Sequence, residues 1–329
     1  MELIISGYGT ETENTVVLYH IGDNGTAQVK WQDKIANASF VCKGEDYLFT
    51  VTEEEDYAYV YLYRQTGNTY QRLDSMRIEG GLLCHIVYSP KNKVLYGACY
   101  GTGTIFAVRV EKDCFGELLY HEIQRTEDAK TLTRAHCVLL NKQETRLITV
   151  NIAQDIIYYY EISEGKLLYN HRFSLPKGVG PRHALLSPDE KLLYIITEYS
   201  NEIFIYENEG KHCLLQHIST LSDGFSGISN CSALCFSKNN KYLYAANRGA
   251  DTVTLFEVQK DGRLIRIKEY DCGGNHPRHM IVSKDGNYLV LCNQNSDNVV
   301  IFNLDYTNGS IISQFLTSRF SAPSGIVEQ

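Results

Sequence analysis

Short, largely apolar stretches recur along the whole chain, with polar turns between them. One clear group of four such stretches predicts strands at residues 182–186, 191–197, 202–206 and 213–219. Short apolar runs bounded by polar turns are typical of strands, whereas amphipathic helices repeat apolar residues every three to four positions. Tyrosines and β-branched residues favour sheets. Because no long amphipathic helix is evident, the pattern predicts an all-β protein.

One phrase recurs at nearly constant spacing: two apolar residues, a small or polar residue, a polar turn and a hydrophobic strand. The small or polar residue, which we call the anchor, stands at Cys42, Ser89, Asn141, Ser187, Ser237 and Ser283. Successive anchors are 47, 52, 46, 50 and 46 residues apart. A period in the forties with about four short strands per unit is typical of a β-propeller blade. Six internal blades are therefore predicted.

The two ends of the chain supply a seventh blade. Residues 323–327 align with residues 277–281 one period earlier and predict an innermost strand. Residues 3–8 have the pattern of a second strand and residues 16–20 that of a third. We therefore predict one domain over residues 1–329. This domain is a seven-bladed β-propeller whose ring is closed by N-terminal strands that complete the C-terminal blade, which removes exposed sheet edges.

Charge and composition narrow the classes of partner. The formal net charge is -8 and no Lys/Arg-rich run is present, so neither nucleic acid nor an anionic membrane is an expected partner. No apolar stretch approaches the roughly 18 residues that a membrane helix needs, and the N-terminus lacks signal-peptide features. The ten cysteines contain no C-x-x-C pair. We expect free thiols in a cytoplasmic protein that is a monomer or a weak homo-oligomer.

Residues that flank the strands around a propeller channel are expected to share one mouth of that channel. The positions four and five residues before, and eleven after, the anchors include Arg182, Arg278, His85, His136, His183, His279, Tyr100, Glu53, Glu198, Arg248 and Gln294. Guanidinium groups with a carboxylate and imidazoles suit an anionic ligand whose hydrolysis needs a proton acceptor. In the alternative interpretation, such arginines bond loop carbonyls between blades, and strand histidines make structural hydrogen bonds.

Several of these residues lie in motifs that follow one another at blade spacing. The motifs are Gly180-Pro181-Arg182-His183 followed by Glu198, Asn247-Arg248-Gly249 followed by Asp251, and Pro277-Arg278 followed by Asn293-Gln294-x-Ser296. In these motifs the chain resembles, over nearly its whole length, the lactonase family of seven-bladed β-propellers, whose named activity is 6-phosphogluconolactonase. The resemblance implies a hydrolase that opens a small-molecule sugar lactone, with a phosphorylated substrate expected.

The expected convergence of these positions on one rim suggests a role for each residue in such a reaction. Glu198 is expected to deprotonate water, with His136 as the competing base, and Arg248 or Arg182 to stabilise the oxyanion. Arg182 and Arg278 are expected to bind the phosphate. The other expected substrate-binding residues are Gln294, His183, His85, Tyr100 and Asn247. No metal and no other cofactor is expected, because no acidic cluster calls for one.

The sequence departs from the family pattern at a few positions. Arg134-Ala135-His136 stands in place of His-x-His, and Asn151 in place of an Asp. Ala233 and Cys235 stand where an acidic residue and a His are common. Two alternatives therefore stay open. One is a lactonase or cyclase for a non-phosphorylated lactone such as a muconate-type acid, and the other is a non-catalytic propeller that binds a ligand or a protein.

Overall fold

A computed structural model describes residues 1–125 and 131–329 of the chain. Within these residues, 28 β-strands form seven four-stranded sheets, and the one helix is the 3-10 turn Gln294–Ser296. No helix in this part of the chain is long and apolar enough to cross a membrane. Seven four-stranded antiparallel sheets are the composition of a seven-bladed β-propeller. The predicted fold class is confirmed.

The chain divides into two compact units. Unit 1 comprises residues 1, 21–27 and 181–328, and unit 2 comprises residues 2–20, 28–180 and 329. Unit 1 holds three complete sheets: β16 (Pro181–Leu186), β17 (Leu192–Thr197), β18 (Glu202–Glu207) and β19 (Leu214–Ser219); β20 (Asn230–Phe236), β21 (Tyr242–Arg248), β22 (Thr252–Val258) and β23 (Leu264–Asp271); and β24 (Pro277–Val282), β25 (Tyr288–Asn293), β26 (Asn298–Leu304) and β27 (Ile311–Arg319). The prediction of a single domain stays a prediction.

Unit 2 also holds three complete sheets. They are β4 (Val41–Lys43), β5 (Tyr47–Val51), β6 (Tyr57–Thr66) and β7 (Thr69–Glu79); β8 (Leu83–Ser89), β9 (Val94–Cys99), β10 (Thr104–Val110) and β11 (Phe115–Ile123); and β12 (Ala135–Leu140), β13 (Arg146–Asn151), β14 (Ile156–Ser163) and β15 (Lys166–Ser174). The seventh sheet combines β1 (Glu2–Gly7), β2 (Val16–Ile21), β3 (Ala27–Asp33) and β28 (Pro323–Glu328) in the order β28-β1-β2-β3. N-terminal strands therefore complete the C-terminal blade, as predicted.

The middle strands of each blade are apolar on both faces because both faces are covered. In β17 every residue from Leu193 to Thr197 is buried, whereas the outermost strand β19 is largely exposed. Tyr194 and Ile196 pack with Leu243 and Phe256 of the next sheet. This burial explains why the second strands read as continuous hydrophobic runs. It also brings the ends of β17 and β21 close together.

An aspartate in the turn after the second strand connects one blade to the segment that enters the next. Asp155 lies fourteen residues after the anchor Asn141, and its φ of 55° is in the left-handed region that Asp tolerates. Its carboxylate accepts hydrogen bonds from the backbone N–H groups of Gly178 at 2.6 Å and Gly180 at 2.7 Å. Asp251 and Asp297 occupy the same register, with φ of 56° and 51°. We call these three residues the latch aspartates.

Asp155→Ala should lower the free energy of unfolding by about 2–4 kcal/mol, because two backbone N–H groups lose a charged acceptor. Urea unfolding measures this change. Asp23→Ala is the matched control, because Asp23 is exposed and should shift stability by no more than about 0.5 kcal/mol. Equal unfolding midpoints for the two variants would contradict a structural role for the latch.

Candidate active site

Backbone hydrogen bonds explain why residues far apart in the sequence lie side by side. The residue after a second strand donates its N–H to the carbonyl of the residue seven positions before the innermost-strand anchor: Tyr100 to Leu82 at 2.8 Å, Ile152 to Arg134 at 3.0 Å, and Gln294 to His276 at 3.0 Å. In the same register, Arg248 pairs with Asn230. The repeat therefore places each second-strand end beside the entry to an innermost strand.

A carboxylate held between two guanidinium groups forms the centre of the site in unit 1. Glu198 Oε2 lies 3.0 Å from Arg182 Nε and 2.8 Å from Arg248 Nη2. The Glu198 side chain is 20% exposed, whereas those of Arg182 and Arg248 are 3% and 9% exposed. Among the described residues, no donor bonds Glu198 Oε1. That second oxygen can therefore accept a hydrogen bond from a ligand or from water.

Arg182 positions Glu198 from a buried site. Its Nη1 donates to the carbonyl of Ser232 at 2.5 Å and lies 3.2 Å from His183 Nε2. A guanidinium only donates, so His183 Nε2 accepts and the imidazole proton sits on Nδ1. The near-complete burial of Arg182 argues against the predicted contact with a phosphate. His183, by accepting this hydrogen bond, helps to hold Arg182 in place.

Arg248 is held by the backbone of the strand beside it. Its Nε donates to the carbonyl of Asn230 at 3.2 Å, and its Nη2 donates to that of Cys231 at 3.0 Å. The Asn230 amide donates to the Glu198 carbonyl at 3.2 Å. The buried arginines thus do bond strand carbonyls, as in the structural interpretation. They also bind the Glu198 carboxylate. Bonds to strand carbonyls and a place in the candidate site therefore occur together in one arrangement.

Arg278 is the more accessible arginine of this region. It is half-buried, and its Nη1 donates to Gln294 Oε1 at 3.3 Å. Three arginines and one glutamate give the region a net positive charge. A guanidinium presents a planar set of donors that matches the oxygens of a phosphate or carboxylate. The region is therefore suited to an anionic ligand.

Sequence reasoning missed His276, whose imidazole is influenced by the charges of these arginines. The backbone N–H of His276 donates to Asp251 Oδ1 at 2.7 Å, and the same oxygen accepts a hydrogen bond from the backbone N–H of Gly249 at 3.1 Å. Its φ of 62° is left-handed. The predicted positions count four and five residues back from each anchor, whereas His276 lies seven residues before Ser283. The repeat itself indicates this position, because His276 stands in the same register as Asn230, seven residues before an anchor.

Two imidazoles in this region, those of His276 and His279, have lowered pKa values. Burial, with the positive charges of Arg248, Arg278 and Arg182, lowers the pKa of His276 to about 4. Burial, with Arg182 and Arg278, also lowers the pKa of His279 to about 4. Both rings are therefore neutral at pH 7. His279 Nδ1 accepts from the backbone N–H of Ile326 at 3.2 Å, which requires the neutral ring.

Three predicted residues lie in unit 2. The rings of His136 and Tyr100 meet edge to face with centroids 5.8 Å apart, and Arg134 Nη1 lies 2.5 Å from the Tyr100 hydroxyl. His85 Nδ1 accepts from the backbone N–H of Val138 at 3.4 Å. This bond fits the structural interpretation of His85. His136 is buried beside Tyr100.

Asn247 holds its blade together. It is 0% exposed, and its amide lies within hydrogen-bonding distance of Thr220 O, Thr252 Oγ1 and Thr254 Oγ1. This burial argues against the predicted contact between Asn247 and substrate, which stays a prediction. Asn151 and Asn293 occupy the same register and are also fully buried. Asn151 is thus a structural residue of the repeat rather than an altered reactive one.

The described residues contain no group of three or more His, Cys, Asp or Glu side chains that could hold a metal ion. All ten cysteines are free thiols, and most of them are buried. Burial raises the pKa of the Cys231 thiol, which lies behind Arg248, to about 12. This thiol is therefore protonated at neutral pH and is not a nucleophile.

Comparison with known proteins identifies the family. A family model described as "Lactonase, 7-bladed beta-propeller" matches residues 2–327. The chain belongs to this lactonase family. Over 309 residues, covering 90% of this chain and 88% of the relative, it is 26% identical to the 6-phosphogluconolactonase of Bacillus subtilis strain 168. Over 233 residues, covering 69% and 68%, it is 24% identical to a 6-phosphogluconolactonase of Yersinia pseudotuberculosis.

A solved structure shows the same fold. The periplasmic gluconolactonase of Pseudomonas aeruginosa superposes with a TM-score of 0.90 and covers 99% of this chain and 98% of its own. Its sequence is 22% identical, so the likeness concerns the fold alone.

His279→Gln should flatten the dependence of stability on acid pH. In the unfolded chain His279 takes up a proton near its ordinary pKa of 6.5, whereas the folded state resists protonation down to about 4. Wild-type stability is therefore lost as pH falls from 6.5 to 4, and the variant escapes this part of the loss. Urea unfolding at successive pH values measures the difference. His217→Gln, at a site 58% exposed, is the control, and a His279→Gln curve parallel to wild type would refute the assignment.

Proposed function

We propose that this lactonase-family protein is a hydrolase that opens a sugar lactone, with 6-phosphogluconolactone as substrate and 6-phosphogluconate as product. The observation that carries the proposal is the Glu198 carboxylate, which two guanidinium groups hold at Oε2 and whose side chain is still 20% exposed. Family membership supports lactone hydrolysis. The names of the Bacillus and Yersinia relatives support the phosphorylated substrate.

Hydrolysis needs a positioned water, a proton acceptor and a group that stabilises the oxyanion. In the proposed reaction the water oxygen attacks the carbonyl carbon while Glu198 Oε1 takes the water proton. Arg248, fixed by two strand carbonyls, stabilises the negative charge on the former carbonyl oxygen. Collapse of this intermediate breaks the ring C–O bond, and Glu198 returns its proton to the leaving oxygen, which becomes a hydroxyl group. The new carboxylic acid then loses its proton to solvent and leaves as a carboxylate. Arg182 contributes by holding Glu198 in place.

The phosphate contact is assigned to Arg278. It is less buried than Arg182 and Arg248, and Gln294 orients its guanidinium through a 3.3 Å bond. A phosphate monoester offers oxygens that a guanidinium can bond in pairs. We further propose, from the sequence, a cytoplasmic location and a monomer or weak homo-oligomer. Neither of these assignments rests on the site.

Glu198→Gln should lower kcat for 6-phosphogluconolactone by about 100-fold or more, because the amide keeps the size of the side chain but cannot take the proton. Activity is measured as hydrolysis corrected for the spontaneous rate. Glu202→Gln is the matched control, because this glutamate lies in the same sheet and pairs with His217. Near-normal hydrolysis by Glu198→Gln would remove it as the base. A comparable loss in His136→Asn alone would assign that role to His136.

Arg278→Met should raise KM for 6-phosphogluconolactone about tenfold or more, because a charged hydrogen bond to the phosphate is lost. It should change KM for plain gluconolactone much less. Arg319→Met, at an exposed site in unit 1, is the control. Equal effects of Arg278→Met on both substrates would exclude a phosphate contact. Preference of the wild type for the plain lactone would favour the non-phosphorylated alternative.

A further inference from the structure

We propose that His276 contacts the anionic group of the ligand and takes up a proton from solvent when the anion binds, and that Asp251 positions it. This inference rests on the proposed function, because it concerns the same arginine-lined site. It adds a ligand-contacting residue that lies outside the recognised motifs. It also makes ligand affinity depend on pH in a defined direction.

The backbone of His276 is fixed on both sides. Its N–H bonds Asp251, whose carboxylate also holds the N–H of Gly249, the residue after Arg248. Its carbonyl accepts the N–H of Gln294, whose side chain bonds Arg278. The imidazole therefore belongs to a segment held between the turn that follows Arg248 and the end of β25, where Gln294 bonds Arg278. A second bond, from the Asn275 amide to Asp251 Oδ2 at 2.8 Å, steadies this segment.

The charges that face His276 set its response to an anion. Arg248, Arg278 and Arg182 disfavour the imidazolium, and Asp251 favours it. Burial also disfavours the charged ring, and together these effects hold its pKa at about 4. An anion bound by the arginines offsets their charge at the ring. An opposite charge within about 4–6 Å raises the pKa of such a group by roughly 1–3 units.

Linkage fixes the direction of the pH effect. If the anion raises the proton affinity of His276, protonation of His276 must tighten anion binding by the same factor. Affinity should then increase as pH falls from neutral towards 5. A phosphate monoester itself titrates near pH 6, so the comparison needs a dianion that does not. Sulfate, which keeps its charge over this range, meets that requirement.

The test follows the histidine ring signals of the wild-type protein by NMR during pH titration. Titrations are run without ligand, with 6-phosphogluconate and with sulfate. His276→Asn identifies the His276 signal, and asparagine tolerates the left-handed backbone at this position. We expect the His276 midpoint to rise by about one unit or more with either anion, while the exposed His217 signal stays unchanged.

Affinity measurements form the second arm. His276→Asn should weaken sulfate binding about twofold or more at pH 5 and change it little at pH 8. His217→Gln should match wild type at both pH values. Anion binding without movement of the His276 midpoint would overturn the inference and leave the proposed function intact. Failure of the wild type to bind 6-phosphogluconate and to hydrolyse its lactone would refute both.

Discussion

The hydrogen bonds of the latch aspartates are the constraint on which the described site depends. Each carboxylate accepts backbone N–H groups from the segment that enters the next innermost strand, so the end of one second strand is fixed relative to the start of the next blade. In unit 1, Asp251 thereby holds Gly249 and His276 at one oxygen. Although burial opposes the effect, bonds from Asn275, His276 and Gly249 lower the pKa of Asp251. The carboxylate is therefore ionised and remains a strong acceptor at neutral pH.

The ion pairs at Glu198 impose a cost that the fold alone does not require. Moving two guanidinium groups and a carboxylate out of water is expensive, and well-packed apolar residues can often replace such groups without loss of stability. Strand carbonyls offset part of the cost here, since Arg182 bonds Ser232 O and Arg248 bonds Asn230 O. The remaining reason for such an arrangement is chemical. It holds a partly exposed carboxylate in one orientation beside fixed positive charge.

Much of the fold can be predicted from the sequence because the hydrophobic pattern and the repeat spacing can both be read directly along the chain. The strands predicted at residues 182–186 and 191–197 agree with β16 and β17 to within one residue. The repeat register also placed Arg182, Glu198 and Arg248 together. It could not show which atoms face outward, because register fixes the positions of Cα atoms and not side-chain rotamers. For that reason the sequence suggested Asn247 and Arg182 as ligand contacts, whereas in the structure Asn247 is buried within its blade and Arg182 bonds Glu198.

The distribution of charge in the site follows from which groups can titrate. Arginine remains protonated at every physiological pH, so the positive charge of Arg182, Arg248 and Arg278 is constant. Burial, together with the charges of Arg182 and Arg278 at both rings and of Arg248 at His276, keeps His276 and His279 neutral near pH 7. Histidine alone would provide an anion site whose strength varied across this range. Placing the cationic charge on arginine and suppressing it on the adjacent imidazoles produces an anion-attracting region that is stable near neutrality. Its response to protons is confined to more acidic conditions or to the ligand-bound state.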